Sequence, residues 1–422
     1  MRAGFYLFDS NVLSMLRHNA GMNHFPIPPG ILPSRRSTLQ LLGGLAASGT
    51  VLAAAPQPLR IGVIASWSGP YADYGRQFDA GMAVYLQQHG ERLGGLPVEL
   101  VRRDVPGAAP DLARRAAQEL IVRDKVDVLA GLDFSPNAYA VGSIAAQAKV
   151  PVVVMNASSS AIPAQSPTAV RVSFTVQQVS APMAQWAARQ GIRQAYTVVA
   201  DYAPGVDSET AFHKAFTAGG GTIVGALRVP LGNIDYAAYL QRVRDSKPEA
   251  VFFFFPSGVM PPAFLRAWKE RGMDRSGIRL LATGEATDDS YLDATGDVAL
   301  GLVTSHHYSY AHASPKNQRF VRDFQARFGT KLRPGYFAVA AYDGLATIDA
   351  ALTRAGKDTR GEALVHAMRG LKLESPRGPI EIDAASRDIV QTVYIRRVDR
   401  VNGQLVNVEF YKFERVKDPG RE

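Results

Sequence analysis

From Leu59 onward, short apolar runs alternate with segments whose apolar residues recur at helical spacing. The runs LRIGVIA (Leu59 to Ala65), VELVRRD (Val98 to Asp104), KVDVLAGL (Lys125 to Leu132) and VPVVVM (Val150 to Met155) are rich in β-branched residues and bounded by turn formers. Between them, Phe78, Met82, Tyr85, Leu86 and His89, and then Leu112, Ala116 and Leu120, fall at helical intervals. Strands apolar on both faces and separated by helices predict a parallel sheet with helices on either side. After RVSFT (Arg171 to Thr175) the pattern restarts. Ser180 is placed to cap a helix with Pro182 in its first turn and Met183, Trp186 and Ala187 on one side. The runs AYTVVA (Ala195 to Ala200), TIVGALRV (Thr222 to Val229), AVFFFF (Ala250 to Phe255) and IRLLAT (Ile278 to Thr283) then predict a second α/β unit of similar size. No short repeat links the two units, so they echo each other in architecture only.

LVTSHHY (Leu302 to Tyr308) reads as a strand leading out of the second unit. Helical patterns follow around Phe320 to Phe328 and Ala338 to Ala351. The closing segments PRGPIEID (Pro376 to Asp383), IVQTVYIRRV (Ile389 to Val398) and QLVNVEFYKF (Gln404 to Phe413) read as antiparallel strands. Returning the late helices to the first unit and the last strands to the second gives two discontinuous lobes. Residues 56–175 with 306–373 form the first, residues 176–305 with 374–415 the second, and residues 416–422 a tail.

Composition adds most at the N-terminus. The stretch SRRSTLQLLGGLAASGTVLAAA (Ser34 to Ala55) joins paired arginines to a weakly apolar segment ending in small residues. That order is a cleavable export signal, and the apolar part is short and weak for a membrane span. Residues 1–55 are therefore set apart as an export signal and leader, twin-arginine-like or secretory, addressed to the periplasm; a buried Ala-rich helix is the alternative. The net charge is +9, but the basic residues are scattered. No basic stripe interleaved with aromatics appears, so no nucleic-acid partner is expected. The chain has no cysteine, which excludes disulfides and thiolate metal sites.

In an open parallel sheet, ligands sit beyond the carboxyl ends of the strands, where loops enter helices. In the first unit those loops hold Trp67, Ser68, Tyr71 and Tyr74, then LDFSPN (Leu132 to Asn137) and NASSS (Asn156 to Ser160). In the second they hold DYAPG (Asp201 to Gly205), PSGVM (Pro256 to Met260), GEATDD (Gly284 to Asp289) and SHHYSY (Ser305 to Tyr310). Hydroxyls and free backbone N–H groups suit a carboxylate, and aromatics suit an apolar side chain or ring. The opening turn has one central glycine, Gly69, and is no phosphate loop. A small organic acid is the expected ligand.

Here the chain from Leu59 to about Glu414 resembles the periplasmic substrate-binding proteins of branched-chain amino acid ABC transporters, the leucine-binding protein-like family. SGPYADYG (Ser68 to Gly75), VPVVVMNASSS, TGEATDD, NQRFVRDFQARFG (Asn317 to Gly329) and YFAVAAYDG (Tyr336 to Gly344) carry the resemblance, in order along the chain. It implies a bilobed type I α/β fold, with two parallel-sheet Rossmann-like lobes joined by a three-strand hinge. It also implies a receptor that closes on a hydrophobic carboxylate and delivers it to an inner-membrane ABC permease, with no enzymatic activity, cofactor or metal. By the same resemblance Ser135, Asn156 and Ser158 hold the ligand carboxylate and Tyr74 is the first-loop aromatic. Glu285 falls where amino-acid binders neutralise the ammonium. Tyr202 stands earlier in its loop than usual, Ser257 occupies a place often aromatic, and Asp133 is unusual beside a carboxylate site. Trp67 and Tyr308 are further candidate ring contacts. SPNAYAVGSIAAQAKVPVVV and GDVALGLVTSHHYS look like a branch that includes binders of aromatic acids. With Glu285 present, a branched-chain or other apolar amino acid is the expected ligand; an aromatic acid is the alternative, and a ligand-sensing module is an alternative role.

Simpler roles exist for the same residues. Ser135 and Ser158 are placed to cap helices, Glu285 to sit in a first helical turn, and Trp67, Tyr71 and Tyr308 to fill a core. His306 and His307 are adjacent, so on a strand they face opposite sides, and no metal is expected from them with His312. No G-x-S-x-G elbow and no phosphate-binding glycine pattern follows a strand, which leaves no catalytic constellation.

Overall fold

The computed structural model describes residues 57–421, and the stretch read as an export signal and leader, residues 1–55, lies outside them. The chain opens with β1 (Leu59–Ala65), α1 (Ala72–Gln88), β2 (Arg92–Leu93), β3 (Leu96–Asp104), α2 (Pro110–Val122), β4 (Val128–Gly131), α3 (Ser135–Ala148), β5 (Val152–Val154), α4 (Ile162–Gln165) and β6 (Ala169–Arg171). Their strands form one sheet in the order β2-β3-β1-β4-β5-β6, parallel except for the β2–β3 hairpin. The second half begins with α5 (Val176–Arg189), β7 (Gln194–Ala200), α6 (Ala203–Ala218), β8 (Thr222–Val229), α7 (Ala237–Ser246), β9 (Ala250–Phe254), α8 (Met260–Glu270), β10 (Arg279–Thr283), α9 (Leu292–Thr295) and β11 (Val303–His306). Then come α10 (Pro315–Phe328), α11 (Tyr336–Arg354), α12 (Gly361–Met368), β12 (Lys372–Ser375), β13 (Gly378–Ile382), β14 (Ile389–Val401) and β15 (Gln404–Val416). The second sheet runs β12-β13-β14-β11-β10-β9-β7-β8, with β15 paired to β14. Among the described residues, no helix is long and apolar enough to cross a membrane.

The apolar runs become buried strands for the reason their pattern implies. In β9, Phe252 stacks on Phe212 of α6 at 4.2 Å between ring centroids, while Phe253 meets Phe264 of α8 at 4.7 Å. Successive side chains thus feed opposite faces of the sheet, each ring contributing about 1.5–3 kcal/mol by leaving water. In the first sheet, Ile64 and Leu129 pack under α2 and α3. Ile61, Val63 and Val128 pack on the other face with α1, α11 and α12. Helices α1 and α11 approach so closely at Gly81 that a Cβ there would lie 2.0 Å from the carbonyl oxygen of Ala338.

Helix α5 begins earlier than its pattern suggests. Thr175 is the cap and forms a reciprocal box with Gln178. Ser180 lies inside the helix, where its hydroxyl donates back to Val176 O at 2.7 Å, and Pro182 is also interior. Strand β12 was not anticipated, because four residues of mixed polarity carry little periodicity. The segment after β15 is tied down, since buried Asp418 accepts from Ser160 Oγ and Thr175 Oγ1, both at 2.9 Å.

The chain passes between the two sheets three times, from β6 to α5, from β11 to α10 and from α12 to β12. Buried ion pairs hold these crossings. Arg171, at the end of β6, grips Asp388 with two bonds of 2.8 and 3.0 Å. Arg377 reaches Asp343 of α11 at 2.9 Å, Gln391 Oε1 at 2.6 Å and Ser173 O at 2.8 Å. Both arginines are essentially without solvent contact. Removing one partner of such a pair strands a charge away from water. Asp343→Ala is therefore expected to lower unfolding free energy by about 3–5 kcal/mol in urea denaturation; a loss under about 1 kcal/mol would contradict this role for the pair.

Candidate functional site

The loops after the parallel strands of both sheets meet around a narrow cavity of about 20 Å³. Seven of the nine residues expected to hold a ligand line it: Tyr74, Ser135, Asn156 and Ser158 from the first sheet's side, and Tyr202, Ser257 and Glu285 from the second. Trp67 and Tyr308 do not. The Trp67 indole donates to Asp79 at 3.0 Å, and the buried Tyr308 hydroxyl donates to Asn317 Oδ1 at 3.1 Å.

Each polar side chain has a definite part. Ser135 is the first residue of α3, whose cap position is Phe134, so its hydroxyl caps no helix. It accepts from Ser159 N at 3.1 Å instead, and its proton is free for an acceptor in the cavity. Ser158 also caps no helix; its carbonyl accepts from Val176 N at 3.0 Å. Asn156 donates to Asp133 O at 2.7 Å, and its Oδ1 has no protein partner. The Tyr74 hydroxyl donates to Ser257 O at 2.5 Å, and Ser257 Oγ lies 2.7 Å from the Tyr336 hydroxyl. Together with Ser159 Oγ donating to Asp207 at 2.5 Å, these bonds fasten the two halves across the cavity.

The walls are aromatic. Phe134, Phe174 and Phe254 line the cavity with Tyr74, Tyr202 and Tyr336. Tyr74 stacks on Phe337 at 4.0 Å, and Tyr202 on Phe254 at 6.1 Å. These phenylalanines and Tyr336 were not singled out beforehand. Phe134 lies inside the LDFSPN loop and Phe254 at a strand's carboxyl end, positions that could have marked them. The Tyr74 ring also borders a wider space of about 340 Å³ lined by the exposed Asp73, Val259 and Arg266. His306 and His307 do not face opposite sides, because β11 ends at His306. Their rings lie 4.3 Å apart, and both pack against Phe174.

A cleft closed by loops at the carboxyl ends of two parallel sheets, with three chain crossings behind it, is the geometry of a receptor that shuts on a small molecule. Residues 58–404 match the model of a family described as periplasmic binding protein. The chain belongs to this family. Its function is that of a solute-binding receptor, and its fold is the bilobed type I arrangement. A Brucella melitensis protein called Leu/Ile/Val-binding protein homolog 6 is 42% identical, the match covering 86% of this chain and 93% of that one. A solute-binding protein of an ABC transporter from Rhodopseudomonas palustris BisB5, solved with 3,4-dihydroxybenzoic acid, is 46% identical. The superposition has a TM-score of 0.83 and covers 86% of this chain and 99% of that one. A second R. palustris solute-binding protein, solved with 4-hydroxybenzoate, is 38% identical with a TM-score of 0.84 over the same shares.

The charge inventory of this periplasmic binding protein's cavity is one-sided. Asp133 and Glu285 line it, and no arginine, lysine or histidine does. Burial pushes the Asp133 carboxyl up to about 6, although its Oδ2 accepts from Ser66 N at 2.8 Å. Burial pushes Glu285 up to about 7, with Arg396 opposing the shift. Asp133 Oδ1 and Glu285 Oε2 have no hydrogen-bond partner in the protein. His306 Nε2 is 3.7 Å from Glu285 Oε2, and burial beside Arg396 and Arg377 holds that imidazole neutral.

The raised Glu285 value sets a stability slope. Its folded value lies above the ordinary 4.5, so its contribution is complete below pH 4.5 and disappears as pH rises through about 7. Between those limits the ligand-free protein should lose on the order of 3 kcal/mol from this group. Glu285→Gln should flatten the pH dependence of urea-denaturation stability by that amount; an unchanged slope would contradict the burial cost assigned to Glu285.

Proposed function

We propose that this binding protein captures a small hydrophobic carboxylate by hinge closure and delivers it to an ABC permease. The occupant that best suits the cavity is a hydroxylated aromatic acid. The observation that carries this reading is the pairing of aromatic walls from both sheets with an acceptor, Glu285, that lacks a partner. A ring fills the space between Tyr74, Phe134, Phe174 and Tyr202. Its carboxylate meets the hydroxyls of Ser135 and Ser158, and a hydroxyl on the far side of the ring meets Glu285. The free space of about 20 Å³ in this closed arrangement is far below the roughly 300–1,000 Å³ of ligand sites, so a ring enters only as the two halves part. The hydroxybenzoates bound to the two R. palustris relatives support the same class. Ligand contacts to both lobes favour the closed state, which is what makes closure ligand-dependent. The periplasm is the compartment this role and the export-like N-terminus call for.

A branched-chain or other apolar amino acid is the second reading. Glu285 favours it, because an ionised carboxylate there neutralises a buried ammonium, and the name of the Brucella relative points the same way.

Thermal unfolding with 4-hydroxybenzoate, 3,4-dihydroxybenzoate, leucine or phenylalanine separates the two. The aromatic acids are expected to raise Tm, by an amount corresponding to about 2.7 kcal/mol at 100 times Kd. Stabilisation by leucine with none from either hydroxybenzoate would overturn the aromatic reading. Ser135→Ala and Ser158→Ala should each weaken carboxylate binding by about 1.5–3 kcal/mol in calorimetry; unchanged affinity in both would remove the anchor from this end of the cavity.

A further inference from the structure

We propose that this protein takes up one proton together with its anionic ligand, and that the proton resides on Glu285, where the neutral acid meets the ligand's hydroxyl. The inference rests on the aromatic-acid reading above and adds what that reading leaves open, the charge state of the site.

The argument begins with what faces Glu285. From its own turn come Asp288 and Asp289, both buried. From β11 comes His306, with both ring nitrogens unpartnered, and beside it His307, likewise unpartnered. From β14 comes Arg396, and around the cavity side stand the uncharged phenols of Tyr202, Tyr291 and Tyr336. Arg396 is the only permanent cation in this set, and it faces four carboxyls, those of Asp289, Glu409, Asp288 and Glu285. Its own donors go to Thr304 Oγ1 at 3.2 and 3.3 Å, Thr287 Oγ1 and Gly284 O at 3.4 Å, and Tyr308 O. None goes to Glu285. The Glu285 side chain is buried, with Oε2 unpartnered, and only the Thr283 hydroxyl, its own backbone N–H and the unbonded Arg396 oppose the cost of ionising it there.

Binding an aromatic carboxylate adds a further negative charge to a cavity whose lining already contains two acids and no base. A like charge disfavours ionisation of its neighbour. Glu285 stands at about 7 before that charge arrives, so the ligand moves it further in the same direction. The proton comes from bulk water and ends on a carboxylate oxygen, and no other reactant is needed. Asp133 is the competing acceptor, but one of its oxygens is already bonded by Ser66 N and it stands lower, at about 6.

The sign of the linkage follows. Affinity for an anion should be nearly full at about pH 6 and fall as pH rises through about 7, because ionised Glu285 must be reprotonated on binding. Between pH 6 and pH 8 the expected loss is about tenfold. A zwitterionic amino acid behaves in the opposite way, since its ammonium requires the ionised acid and its affinity rises over the same range.

Calorimetric titration of the wild-type protein with 4-hydroxybenzoate, in two buffers of different ionisation heat, counts the protons directly. About half a proton per ligand is expected at pH 7 and nearly one at pH 8. Glu285→Gln, a fixed analogue of the neutral acid, should bind with equal affinity at both pH values and no proton uptake, whereas Asp133→Asn should keep the uptake. Tight binding without uptake between pH 6.5 and 8 overturns this inference and leaves the aromatic reading standing. Uptake lost in Asp133→Asn but kept in Glu285→Gln overturns the assignment to Glu285. Failure of 4-hydroxybenzoate to bind, with leucine binding more tightly at high pH, overturns both.

Discussion

Taking a carboxylate out of water is unfavourable on the order of tens of kcal/mol unless its charge is met by donors or removed by a proton, and the site of this protein is arranged around that constraint. No lysine or arginine reaches the cavity. In the proposed pose the anion meets dispersed donors: the serine hydroxyls at Ser135 and Ser158 and the polar backbone at the start of α3. The aromatic walls supply the favourable burial, and the donors make that burial possible for a charged molecule. Glu285 shares the cavity with an anion by giving up its own charge.

Closure depends on the same balance. Tyr74 and Ser257, and Ser257 and Tyr336, join the two halves through hydrogen bonds beside the ligand space, where water is already excluded. Such bonds contribute little individually, about 0.5–1.5 kcal/mol each, so they favour closure without locking it. The rigid part lies behind the cavity. There the buried pairs of Arg171 with Asp388 and of Arg377 with Asp343 fix the chain crossings through bonds to several carbonyls. A bilobed receptor needs this division, with strong contacts at the hinge and weak, ligand-dependent ones at the mouth.

The sheets were legible in the sequence because parallel strands are apolar on both faces, and runs such as VVV at Val152–Val154 admit few other readings. The polar half of the site was legible too, since hydroxyls and Asn156 fall directly after predicted strands. The aromatic half was harder. Phe252, Phe253 and Phe254 are identical in type and all buried in apolar clusters, yet only Phe254 also faces the cavity. That division is set by where β9 ends, which composition does not specify. Tyr336 meets Ser257 only because α11 folds back onto α1 from far along the chain. The start of α5 carried a readable signal in Thr175 and Gln178, a capping box that outweighs the Ser180 alternative. The histidines were misplaced because alternation holds within a strand and lapses at its end.

The central claim is an orientation, with the anion at the α3 end of the cavity and the ring hydroxyl at Glu285. A crystal structure of the protein with 4-hydroxybenzoate tests it most directly. The account predicts carboxylate oxygens within hydrogen-bond distance of Ser135 Oγ and Ser158 Oγ, the ring between Tyr74 and Tyr202, and the phenol oxygen on Glu285. A ligand carboxylate lying against Glu285, or a ligand seated outside Tyr74 in the wider space beside Arg266, would contradict it.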